Sequence, residues 1–185
     1  MRPVRCTIIL CIVILFLGMF VSPDISQGAS ASEINRDAKR VLKNLYAQSA
    51  SAKTLGEKAK AILIFPSITK GGFIVGGQFG EGALMSGGKT IGYYSTVSAS
   101  YGMQAGVQKY GYAMFLMTDE AVKYINRSDG WELGTGPSIV ILDSGAAGGI
   151  STTTAKSDVY AFIFDQQGLM AGLGLQGTKV TKIKK

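Results

Sequence analysis

The sequence predicts an α+β domain: a curved, Gly-rich, mostly antiparallel β-sheet or partial barrel with N-terminal amphipathic helices and one further short helix. Three observations carry this. Helical periodicity is confined to residues 32–60 and to a short stretch after Thr118. Between and beyond them the chain reads as strands separated by glycine, with 25 glycines in 185 residues. The pairs Gly71-Gly72 and Gly76-Gly77 interrupt a strand pattern. Glycine inside a strand points to close backbone approach, sharp bending or a ligand lying against the chain. A chain of this length suits one domain with a sizeable core.

The first 31 residues read as a leader. Arg2 and Arg5 form a basic start, Cys6 to Val21 is an apolar run broken only by Thr7 and Gly18, and Ala29-Ser30-Ala31 is a small-x-small cleavage signal. This is the order of a secretory signal peptide, and the run is short for a membrane span of about 20 residues. The mature domain is expected over residues 32–185, with an uncleaved N-terminal anchor as the alternative. Both cysteines lie in the leader and the chain has no His. A mature chain without Cys or His excludes disulfides, thiol catalysis, His-based acid–base chemistry and the usual zinc ligand sets.

Ser32 to Ala50 reads as an amphipathic helix capped by Ser32. Ile34, Ala38, Val41, Leu42 and Leu45 share one face at spacings of three and four. Arg36, Lys39, Arg40 and Lys43 cluster opposite. Thr54-x-x-Glu57 has the form of a capping box and predicts a second short helix from Thr54. Ile62 to Phe65 looks like the first strand, ending at Pro66. Strands are expected over 72–80, 81–85, 90–99 and 103–108. The apolar runs 112–117, 139–142 and 159–164 predict strands covered on both faces. Asp119 to Asn126 is a further helix with acids in its first turn. Leu169 to Ile183 reads as a hairpin turning near Gly177.

No motif announces catalysis. Gly172, Gly174 and Gly177 fit GxGxxG, but no helix follows, so they read as hairpin glycines. Asn126-Arg127-Ser128 is a glycan acceptor pattern that is common by chance. Glu81, Asp143, Asp158 and Asp165 are scattered, and each is read as a turn or solvated position. No catalytic residue, metal ligand or cofactor is assigned, and the chain is expected not to be an enzyme.

Charge gives a direction. The leader holds two basic residues and one acidic, so the whole chain's +7 becomes +6 after its removal. A positive exported protein suggests anionic partners such as phospholipid headgroups. The basic helix face Arg36, Lys39, Arg40 and Lys43 would attract them. Val41, Leu42 and Leu45 would supply apolar contact if the helix lay at a bilayer interface. The alternative is a helix docked on the sheet with its cations in water.

The block Ile64-Phe65-Pro66, Gly71-Gly72-Phe73-Ile74-Val75-Gly76-Gly77 and Gly80-Glu81-Gly82 resembles the SYLF domain. This lipid-binding family also contains the yeast actin-binding Las17-binding proteins. Phe65, Pro66, Gly71, Gly72, Gly76, Gly77, Gly80 and Gly82 carry the resemblance. Tyr101-Gly102-Met103-Gln104-Ala105-Gly106 and Gln167-Gly168-Leu169-Met170-Ala171-Gly172 agree in order, with Met170 where an aromatic is more usual. The resemblance implies phosphoinositide or phospholipid binding assisted by an N-terminal amphipathic helix. It also brings a label of actin binding, which an exported chain makes an unlikely native partnership. The expectation is a non-catalytic periplasmic or envelope-associated protein that binds anionic phospholipid or a membrane surface, with no nucleic acid. The alternative is a structural or interaction protein of the envelope that binds another macromolecule through its basic surface.

Overall fold

The computed structural model describes residues 28–127, 130–133, 135–143, 157–168 and 178–185. Two helices lead, α1 Ala31–Gln48 and α2 Ala50–Lys58. Two very long strands follow, β1 Ala61–Ser86 and β2 Lys89–Leu116, then α3 Asp119–Ile125 and the strands β3 Trp131–Glu132, β4 Ile139–Asp143, β5 Val159–Gly168 and β6 Lys179–Ile183. The fold is α+β, a curled mixed sheet forming a half-barrel with helices packed on it.

The central unit is the β1–β2 hairpin, antiparallel from Ala61↔Leu116 to Ser86↔Lys89. Its turn uses Gly87 and Gly88, both at positive φ, a conformation that glycine adopts without steric cost. The several short strands expected from the sequence are two continuous ones, interrupted only by bulges. One falls at Pro66-Ser67, between the pairs Phe65↔Tyr112 and Ile68↔Tyr110. A bulge keeps the strand going where proline cannot join the ladder.

The hairpin is too long to lie flat. It bends back on itself, so that the second half of β1 crosses the first. A Cβ on Gly82 would collide with the Ile64 carbonyl oxygen and lie 2.7 Å from Phe65 Cδ1, and one on Gly80 would lie 2.6 Å from Ile68 Cγ1. These two glycines make the crossing possible. The other edge of β2 is shared: its first half pairs with β6, which pairs with β3, and its second half pairs with β5, which takes β4 as a parallel neighbour.

The crossing makes two cores with period-2 alternation between them. Phe65, Leu84, Tyr94, Tyr112, Met114, Trp131 and Val180 face inward between the hairpin halves and under α3. Ile62, Ile64, Ala83, Met85, Ala113, Phe115 and Phe162 face outward and are covered by Ile34, Ala38, Val41 and Leu45 of α1 and by Ala52 and Leu55 of α2.

Several local expectations shift. The cap of α1 is Ser30, not Ser32: Ser30 N donates to Glu33 Oε2 at 2.8 Å and Glu33 N donates to Ser30 Oγ at 3.3 Å, a complete capping box. Ser49 ends α1 and caps α2, so Thr54 is interior and its hydroxyl donates back to the Ala50 carbonyl. The N-cap lies five residues before the expected Thr54, because Ser49 accepts from Ala52 N, and no capping box forms there. β4 is not covered on both faces, since Val140 and Ile141 are 38% and 40% exposed. It is an edge strand paired on one side only. The expected hairpin turn near Gly177 and the GxGxxG glycines lie outside the described residues.

Asp158 ties this edge together. Its carboxylate accepts from Ser138 N and Oγ at 2.9 and 2.7 Å and from Thr118 Oγ1 at 3.3 Å. The Ser138 bonds, then Thr118, hold its carboxyl below the usual range. A depressed folded pKa stabilises above the unfolded value of about 3.9, and that stability is lost as pH falls through the folded value. Asp158→Ala should therefore lose about 1–2 kcal/mol at neutral pH. Urea titrations across pH should show the gap between variant and wild type closing below about pH 4.

Candidate functional site

The predicted residues of α1 divide cleanly. Arg36, Lys39, Arg40 and Lys43 are all exposed, on the side away from the sheet. Val41 and Leu45, each 2% exposed, are buried in the outer core, and Leu42 is half-buried against it. This corrects the expected apolar lipid contact. Val41 and Leu45 fill the space over the sheet, and neither can meet a bilayer while the fold is intact.

The basic face is also less purely basic than the sequence suggests. Asp37 lies between Arg36 and Arg40, 3.4 Å from a guanidinium nitrogen of each. The arginines are 67% and 61% exposed, so these pairs hold little energy. Their effect is to offset part of the local field. Lys39 and Lys43, two and six residues on, lie further round the helix from that acid.

Pro66 and Ser67 separate two grooves beside α1. One, about 240 Å³, is lined by Gly28, Ala29, Ile34, Asp37, Thr69 and Phe79 among others. The other, about 220 Å³, lies between Arg40, Lys109, Tyr110, Asp165 and Gln167. It exists because both neighbours of β2 skip at the same level. β1 bulges at Pro66-Ser67, and β5 shifts register between the pairs Lys109↔Gln167 and Gly111↔Phe164. Asp165 takes φ 53° there, a conformation Asp tolerates better than most side chains. Arg40 and Lys109 thus face one cavity from different elements. Sequence reasoning missed Lys109, which strand alternation against buried Tyr110 could have turned outward.

Beneath the grooves, polar contacts tie the hairpin halves together. Tyr110 donates to Gln78 Oε1 at 2.6 Å, Gln78 Nε2 donates to Thr178 Oγ1 at 3.0 Å, and Tyr112 donates to Thr96 Oγ1 at 3.0 Å. Burial pushes the Tyr110 hydroxyl up to about 12 and the Tyr112 hydroxyl higher still, so both stay neutral donors.

The remaining predicted positions have structural work. Phe65 packs against Tyr112 with ring centroids 4.8 Å apart and planes tilted by 47°, Pro66 sits in the bulge, and Gly71, Gly72, Gly76 and Gly77 flank the register shift between Phe73 and Val75. Gly80 and Gly82 are the crossing point described above. Asn126 closes α3: it accepts from Tyr94 and Lys182 and donates to the Val122 carbonyl. Of the acids, Glu81 pairs with Lys185 at 2.8 Å while Lys185 also donates to the Ala29 carbonyl at 2.9 Å, so the chain's last residue clamps the start of the domain. Glu81, Asp158 and Asp165 stand in three different settings.

Residues 97–185 match the family model described as Ysc84: Las17-binding protein actin regulator. This stretch, 89 of the 185 residues, is similar to the family whose domain is called SYLF. The matched segment begins inside β2 and takes in α3 and β3 to β6. The SYLF motif glycines of β1 precede it and are joined to it by the hairpin register. No curated protein matches the chain. Among the described residues no helix is long and apolar enough to cross a membrane.

Proposed function

We propose that this chain is a non-catalytic SYLF-type protein that binds anionic phospholipid surfaces at the cell envelope. One observation carries the reading: α1 spends its apolar face on the core and still presents four cations outward. A helix anchored in this way holds its charges in fixed relation to the domain. Each Lys or Arg near an anionic bilayer contributes about 1 kcal/mol. Asp37 subtracts from the sum, and Lys109 beside Arg40 adds to it.

The similarity of residues 97–185 to a family whose domain is lipid-binding in general terms supports the reading. Phosphoinositide is one headgroup of the right charge. The mechanism needs only a dense anionic surface, so phosphatidylglycerol should serve as well. The expected leader argues for action after export, away from actin.

The test is co-sedimentation of the purified full-length chain with vesicles. Binding is expected to phosphatidylcholine vesicles containing phosphatidylglycerol and not to phosphatidylcholine alone. Equal binding to both, or to neither, sinks the reading and favours an envelope protein whose basic surface meets another macromolecule.

A further inference from the structure

α1 and α2 cover only part of the outward face of the sheet. Beyond them, several large apolar side chains of that face are exposed among the described residues. Phe79 and Val97 are directly paired across β1 and β2 and are 53% and 49% exposed. Val97 is in turn paired with exposed Lys179 of β6. One row of the sheet thus reads Phe79, Val97, Lys179, Glu132. On the other half of the hairpin, Val107 is 61% exposed and alternates with exposed Lys109. Thr69, the cross-strand partner of Lys109, lines the same groove as Phe79. Large apolar side chains and lysines are therefore interleaved on one surface.

We infer that this surface, centred on Phe79 and Val97, is the part of the molecule that inserts at an anionic bilayer. The inference rests on the lipid reading above and names the face that carries it. Three facts choose a bilayer as the occupant. Lysines flank the patch, Lys179 in register with Val97 and Lys109 two residues from Val107, as in interfacial anchors that pair apolar side chains with lysine, while Glu132 opposite Lys179 and the Lys185-paired Glu81 offset part of their field. The chain enters the domain at this spot, because Gly28 and Ala29 line the Phe79 groove and are clamped there by Lys185. Finally, the apolar run ends at Val21, and the seven steps from there to Gly28 reach at most about 25 Å. While the leader sits in a membrane, the Gly28 side of the Phe79 groove is held within that distance of it. The patch itself does not depend on whether the leader is later removed.

Two variants of the full-length chain test this. Phe79→Ser with Val97→Ser should melt as the wild type does, since both side chains are largely in water. It should lose about tenfold in partition to phosphatidylcholine vesicles containing phosphatidylglycerol. Phe79→Trp should show a blue shift of emission, over the wild-type Trp131 background, only when those vesicles are added. It also keeps the inference testable if the double variant fails to fold. Wild-type binding that the double variant retains, with no blue shift, overturns the inference and leaves the α1 face as the contact. No wild-type binding at all overturns the lipid reading itself. A blue shift without vesicles means that residues 6–21 already cover the patch. A double variant that only converts a dimer to a monomer makes the patch an interface between copies. Either result overturns the inference.

Discussion

Leu45→Asp should unfold the domain or bring it close to unfolding. Leu45 is 2% exposed and packs in the outer core with Phe115 and Phe162. Removing a buried Leu side chain alone costs about 2–5 kcal/mol, and a carboxylate left there without a partner adds several more. The whole folded state holds only about 5–15 kcal/mol. Leu42→Asp should be milder, because Leu42 is half-buried. Lys43→Asp should fall within about 0.5 kcal/mol of wild type, as exposed substitutions usually do. Urea titrations followed by far-ultraviolet circular dichroism would rank the three. A soluble, cooperatively folded Leu45→Asp chain would mean that α1 does not depend on the sheet.

The second large effect is on binding. Lys39→Glu, Arg40→Glu and Lys43→Glu together should lower partition to anionic vesicles by at least about a hundredfold. Losing three cations removes about 3 kcal/mol of attraction, and reversing them adds repulsion. The melting temperature should barely move, because all three side chains are exposed. Vesicle sedimentation and thermal melts on the same preparation separate the two effects. If the triple variant binds as well as wild type, the helix face is merely solvated, and the contact lies on the sheet around Phe79.

Where the sequence was legible, it was legible through periodicity. The apolar face of α1 follows a spacing of three and four, so Ile34, Ala38, Val41 and Leu45 were assigned to one face and the four cations to the other. Alternation marked the strands of both cores. What periodicity could not show is which partner a face meets. The apolar stripe of α1 looked available for lipid, but the outward residues Ile64, Ala83, Ala113 and Phe115 needed a cover, and α1 supplies it. For the motif glycines the sequence leaves close approach, bending and a ligand open, and the tight approach falls at Gly80 and Gly82, while a Cβ on Gly71 or Gly77 would meet only ordinary contacts. That Gly80 and Gly82 admit the first half of the same strand, rather than a ligand, depends on a hairpin crossing itself, which no local pattern records. Lys109 escaped notice for the same reason, since its nearness to Arg40 is set by two bulges in different strands. Ser30 was hidden behind the cleavage signal that contains it. Its capping box with Glu33 uses Ser30 itself, which cleavage before Ser32 would remove.

The central claim is that attraction between fixed cations and an anionic bilayer drives binding. Its most direct measurement is the partition of the full-length chain to phosphatidylglycerol-containing vesicles as salt is raised. Between about 0.01 M and 0.15 M the Debye length shortens from about 30 Å to about 8 Å. The account predicts a steep fall in partition over that range, with a shallower slope for the variant carrying Lys39→Glu, Arg40→Glu and Lys43→Glu. A partition that stays constant across the range, or slopes that are the same for variant and wild type, would contradict it.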